Sequence, residues 1–96
     1  MEKGTMKVSI INRIPLRLAL ARQIASLAKA AGAHAAPIYD LDGRVDEMNV
    51  RYNGLQRGVI FACPNGGLAV WINSKTQVAV SGAEAAIEKC LEGVLG

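Results

Sequence analysis

Val8-Ser9-Ile10-Ile11-Asn12-Arg13-Ile14-Pro15-Leu16-Arg17-Leu18-Ala19-Leu20-Ala21-Arg22-Gln23-Ile24-Ala25-Ser26-Leu27-Ala28 is the stretch whose reading decides the fold. Val8 and Ile10 alternate with Ser9 in the period of a half-buried strand, and Ile11 carries the apolar run to Asn12. A loop is expected from Asn12 to Pro15. Beyond it Leu16, Leu20, Ile24, Leu27, Ala28 and Ala31 fall on one stripe at helical spacing, with Arg22, Ser26 and Lys29 on the other side. Pro15 suits a first helical position, because its fixed φ is helix-compatible and its missing N–H has no intrahelical partner there. Gly32 supplies a stop. The spacing therefore predicts a helix of about four to five turns, at ~3.6 residues per turn.

Read outward, the chain continues as short strands. Ala33 to Leu41 alternates in facing, and Pro37 within it marks an edge or a strand start. Asp42-Gly43 signals a hairpin turn, and Arg44 to Val50 reads as the returning partner. Asn53-Gly54, Pro64-Asn65-Gly66-Gly67 and Lys75-Thr76 are further turn signals. Between them Val59 to Ala62, Leu68 to Ile72 and Gln77 to Val80 are short and apolar or β-branched. The two runs flanking Pro64 to Gly67 predict a β-hairpin within Gly58 to Ser74, with Trp71 pointing opposite to Val70 and Ile72 and packing on a helix or a partner chain. Ser81-x-x-Glu84 has the pattern of a capping box, and Ile87, Cys90, Leu91 and Val94 mark the buried stripe of a closing helix. This order predicts an α+β domain, an antiparallel β-sheet with helices packed on one face. Residues 1–6 are expected to be a flexible lead-in to a single domain over residues 7–96.

In the opening stretch, Val8, Ile10, Asn12, Leu16, Ala21, Ile24 and Ala28 fall in step, without a gap, with V-x-I-x-N-x-x-G-L-H-A-R-P-A-x-x-L-V-x-x-A. That is the opening of the histidine-containing phosphocarrier proteins of the sugar phosphotransferase system, the HPr family, which the chain resembles here. The end is similar too, because Val78-Ala79-Val80-Ser81-Gly82 runs a last strand into a glycine-marked turn and a final helix. The resemblance covers roughly residues 7–43 and 77–95. It implies an HPr-like open-faced sandwich, to which the hairpin of residues 58–74 would be an extra central element. The departures sit where the family's chemistry would be. Arg17 stands at the phosphorylated histidine, Ala19 at the arginine beside it, Leu20 at the proline and Pro15 at the glycine. A guanidinium stays protonated and has no free lone pair, so it cannot carry a phosphoryl group as an imidazole does. The family's regulatory serine falls on Asn49, which offers no hydroxyl.

Composition narrows the function classes. Ninety-six residues, 51% of them apolar and only 4% aromatic, describe one folded domain with a core of Val, Ile, Leu and Ala. A net charge of +3 with scattered Lys and Arg argues against nucleic acid as a partner. With no export signal pattern and no long apolar run, no membrane association and a cytoplasmic location are expected. Cys63 and Cys90 have neither C-x-x-C spacing nor histidine partners, so they are expected to be reduced and to bind no metal.

The candidate site is the start of the first helix. A cation in a first helical turn is disfavoured by the helix dipole unless an anion sits between it and the free N–H groups, and Arg13 is near enough in sequence to help Arg17 hold one. Leu16 and Leu18 beside Arg17 supply the apolar-plus-arginine mixture that protein interfaces favour. Arg13, Leu16, Arg17 and Leu18 are therefore the expected anion- or partner-binding residues, in a module without catalytic residues or cofactors. His34, the one histidine, is expected to cap the last carbonyls of the long helix or simply to be exposed. Asp40, Asp42, Asp46 and Glu47 gather around a turn without a calcium-loop spacing, and no metal is expected there. An enzyme would need residues from the central segment, such as Cys63 as a nucleophile with His34. A second copy covering an edge strand around Pro37 or Leu68 would make a homodimer.

Overall fold

The computed structural model describes residues 13–73 and 76–95. The expected first strand, Val8 to Ile11, and the lead-in of residues 1–6 lie outside the described residues, as does Lys75 of the last turn signal. The described elements are α1 (Leu18–Ala30), β1 (His34–Tyr39), β2 (Val45–Tyr52), β3 (Leu55–Ala62), β4 (Leu68–Asn73), β5 (Thr76–Val80) and α2 (Ala83–Leu95). The strands form one antiparallel sheet in sequence order, β1-β2-β3-β4-β5, so each pairs with the next in the chain.

The turns follow their residue chemistry. At Asn53-Gly54 both residues have positive φ, 53° and 78°, and Tyr52 faces Leu55, which makes the two-residue type I′ loop whose twist matches the strands it joins. At Asp40 to Arg44 the Asp40 carboxylate accepts hydrogen bonds from the N–H groups of Asp42 and Arg44. At Cys63 to Gly67 the Asn65 side chain accepts from the Gly67 N–H. The runs either side of that turn pair with Phe61 opposite Ala69 and Val59 opposite Trp71. Leu68 consequently sits in an interior strand, between β3 and β5, and not at an edge where a second copy could pair with it. Pro37 does lie in an edge strand, β1, whose one neighbour among the described residues is β2.

Strand alternation sends Ala35, Met48, Val50, Ile60, Ala62, Leu68 and Val70 to one face, where Ala21, Ile24 and Ala28 of α1 and Ala83, Ala86, Ile87, Cys90 and Leu91 of α2 close over them. Both helices thus pack on the same face of an open sheet, as the periodicity predicted. Val59, Phe61, Ala69 and Trp71 point to the opposite face. Trp71 therefore packs on neither helix. Its ring meets Phe61 edge-on, with centroids 6.5 Å apart, because residues paired diagonally across β3 and β4 on that face are neighbours.

Two boundaries differ from expectation. Pro15 is not the first helical residue; α1 begins at Leu18 and is 13 residues long, shorter than the stripe suggested. Its predecessors are held extended, since the Ile14 N–H donates to the Ala62 carbonyl and the Leu16 N–H to the Val45 carbonyl. Pro15, the residue without a donor, points the other way between them, where nothing is lost. At the far end His34 is exposed and starts β1. The Ala33 N–H bonds to the Ala28 carbonyl and the Gly32 N–H to the Lys29 carbonyl, a Schellman closure that needs the positive φ of Gly32, 82°. Finally, α2 starts at Ala83 with the Gly82 carbonyl accepting from Ala86, one residue later than a capping box on Ser81 requires.

Candidate functional site

The segment from Arg13 to Arg17 crosses the end of the sheet from its far face to its helix face. This crossing separates the candidate residues into two kinds. Leu16 enters the core with 4% of its surface exposed, so it is a packing residue and offers no contact surface. The extended conformation explains it, because the bond from its N–H to Val45 fixes its side chain over the buried start of β2.

Arg13 is equally bound into the fold. Its guanidinium lies 2.6 Å from a Glu47 carboxylate oxygen and 3.4 Å from Asp46, and stacks over the Phe61 ring at 4.3 Å from the centroid. Trp71 is 5.9 Å away on the same side. Its Nε is buried without an acceptor, consistent with a guanidinium plane pressed on an aromatic face. Arg13 therefore does not turn toward the helix N-terminus to assist Arg17.

Arg17 is the residue immediately before the helix, extended at φ −65° and ψ 146°, and its side chain makes no capping bond. It is exposed, and Leu18, the first helical residue, is 58% exposed. Ile14, one residue past Arg13, is 40% exposed. Sequence reading missed Ile14, since an apolar residue before a proline gives no sign of which way an extended segment will face. No acidic residue lies in the first turn of α1, so among the described residues its leading N–H groups have no side-chain acceptor. Arg17, Leu18 and Ile14 are thus each exposed in this segment.

The other candidates dissolve into structure. Asp46 and Glu47 hold Arg13, while Asp42 pairs with Arg44 at 2.9 Å and Asp40 caps the turn. Among the described residues no group of three acidic, histidine or cysteine side chains could hold a metal. His34 lies opposite Arg51, which faces Gln56 near the start of β3, whereas Cys63 follows the end of that strand. The strand rise puts the two roughly 20 Å apart, so they form no nucleophile–base pair. No helix among the described residues is long and apolar enough to cross a membrane.

No protein-family model matches the chain, and no curated protein or solved structure matches it significantly.

Proposed function

We propose that the chain is an HPr-like protein-binding or regulatory module without phosphocarrier activity, related to the phosphotransferase system by scaffold and not by chemistry. The observation that carries the reading is Arg17, which stands in the in-step match from Val8 to Ala28 at the position of the family's phosphorylated histidine. It is exposed beside Leu18 at the start of α1. Arginine and an apolar side chain side by side suit a protein contact, and a guanidinium is no phosphoryl acceptor. A protein partner would seat its apolar group on Leu18 and Ile14 and an acidic or carbonyl group on Arg17. Incubation with a phosphotransferase enzyme I and phosphoenolpyruvate should leave the chain unlabelled; a stoichiometric acid-labile phosphoryl group on it would overturn the reading. Paired substitutions Arg17→Glu and Leu18→Lys should abolish partner binding while the fold is retained.

A second reading is supported by the open start of α1, which lacks an acidic first turn and a side-chain cap. There a small anion or phosphorylated metabolite would sit between the N–H groups and Arg17, making the chain a sensor. Arg13, held by Glu47, takes no part. A panel of phosphorylated metabolites should then raise Tm, by about 2.7 kcal/mol of stability at a hundred times Kd. No shift with any of them, or one that survives Arg17→Ala, would remove this reading.

A further inference from the structure

The end of α1 and the start of α2 flank a groove of about 230 Å³, at the other end of α1 from Arg17. Leu27, Ala31 and Ile87 form its apolar floor, and Glu84 and Glu88, both exposed, stand on its α2 side. On its α1 side Ala30 is exposed, and Lys29 precedes it in the last turn. The charges here are unmatched. Among the described residues neither Glu84, Glu88 nor Lys29 makes an ion pair, whereas Lys89 holds Glu92 at 3.2 Å. Their own helices cannot match them. Glu84 and Glu88 are four residues apart and meet as like charges, and α1 contains no acidic residue to take Lys29. The helix dipoles favour Lys29 at the end of α1 and Glu84 at the start of α2, but give Glu88 nothing, because the effect fades within one turn.

We propose that this groove is a self-association surface: a second copy of the chain lays the end of its α1 across the start of α2, so that Lys29 of each copy meets Glu84 and Glu88 of the other. The chain carries both halves of the match. A two-fold axis along the groove sets the end of α1 opposite the start of the second copy's α2 and repeats the same contact in reverse. Ala30 and Ala31 line the groove and lie near that axis, where small side chains let the two helix layers approach. A foreign basic helix would answer the carboxylates but leave Lys29 unmatched, which favours the copy. Two helices of 13 residues, each about 20 Å long and about 10 Å apart, present a patch of about 400 Å² per copy, at the low end of specific interfaces. The dimer is therefore weak, forming at high protein concentration and low salt. The surface is separate from the start of α1, and Arg17→Glu leaves it unchanged.

Sedimentation equilibrium of the full chain at low salt, up to about 1 mM protein, should show a monomer–dimer equilibrium whose Kd rises several-fold in about 1 M salt, where the Debye length is about 3 Å. Lys29→Glu alone, or Glu84→Lys with Glu88→Lys, should each raise Kd at least about tenfold while circular dichroism stays native. An equimolar mixture of these two variants should then form a mixed dimer, because opposite charges are matched again at both contacts. Should either variant fail to fold, Ala30→Arg, at an exposed position lining the groove, takes its place and should leave a monomer. A native chain that stays monomeric at about 1 mM, a dimer indifferent to every variant, or a mixture that associates no better than its components would each overturn the proposal. Amide shifts at Ala30 and Ile87 with an added basic amphipathic helix, in a chain that does not dimerise, would assign the groove to a foreign partner instead and overturn it too.

Discussion

Gly58 of β3 and Cys90 of α2 share one space: a β-carbon at residue 58 would lie 2.5 Å from Cys90 Sγ and 3.3 Å from Val70 Cγ1. The helix rests on the sheet backbone here because residue 58 has no side chain. Gly58→Ala should destabilise the protein by about 1–3 kcal/mol, the usual cost of overpacking. Combined with Cys90→Ala, which removes the sulfur, part of that loss should return. Urea denaturation of the two single variants and the double variant measures the coupling, and strictly additive effects would show that the helix shifts freely instead.

Cys90 is buried, and burial pushes its thiol from 9.0 up to about 12. The neutral thiol is the form that fits the folded state. Its contribution is complete below pH 9.0, the unfolded value, and is lost as pH rises toward about 12. Stability of the native protein should therefore fall more steeply above pH 9.0 than that of Cys90→Ala. At neutral pH iodoacetamide should label half-exposed Cys63 in the native protein and reach Cys90 only on unfolding.

Arg13 ties the segment leading into α1 to both β2 and the aromatic pair on the far face of the sheet. Arg13→Ala leaves Glu47, whose side chain is 22% exposed, without its cation and uncovers Phe61. A loss of about 2–3 kcal/mol in chemical denaturation is expected, larger than for a surface ion pair. Arg13→Lys should recover less than half, because an ammonium has no plane to lay on the ring. Full recovery by lysine would mean that charge alone matters here.

Leu16 and Leu18 are two residues apart and should behave as opposites. Leu16→Ala removes a buried side chain and should cost about 2–4 kcal/mol. Leu18→Ala, at an exposed first helical position, should change stability by less than about 0.5 kcal/mol. Thermal unfolding of the two variants checks the assignment of one to the core and the other to the exposed surface.

By itself the sequence determined what depends on local period and local turn chemistry. The α2 stripe of Ile87, Cys90 and Leu91, the strands of β-branched residues and the turns at Asp42-Gly43, Asn53-Gly54 and Pro64 to Gly67 are all legible, because backbone sterics and side-chain alternation act within a few residues. What only the tertiary structure decided is where the chain's charges and ends go. The sequence placed Pro15 and Leu16 in a helix, but the carbonyls of Ala62 and Val45 offered the N–H groups of Ile14 and Leu16 a sheet partner instead. It grouped Arg13 with Arg17 as two cations near one helix end. In the fold, Glu47, 34 residues away, and the Phe61 ring claim Arg13 and leave Arg17 exposed alone. The bulge at Arg57, where Val50 faces Gly58 and Arg51 faces Gln56, is likewise a property of strand register, which two strands settle together and neither sequence segment encodes alone.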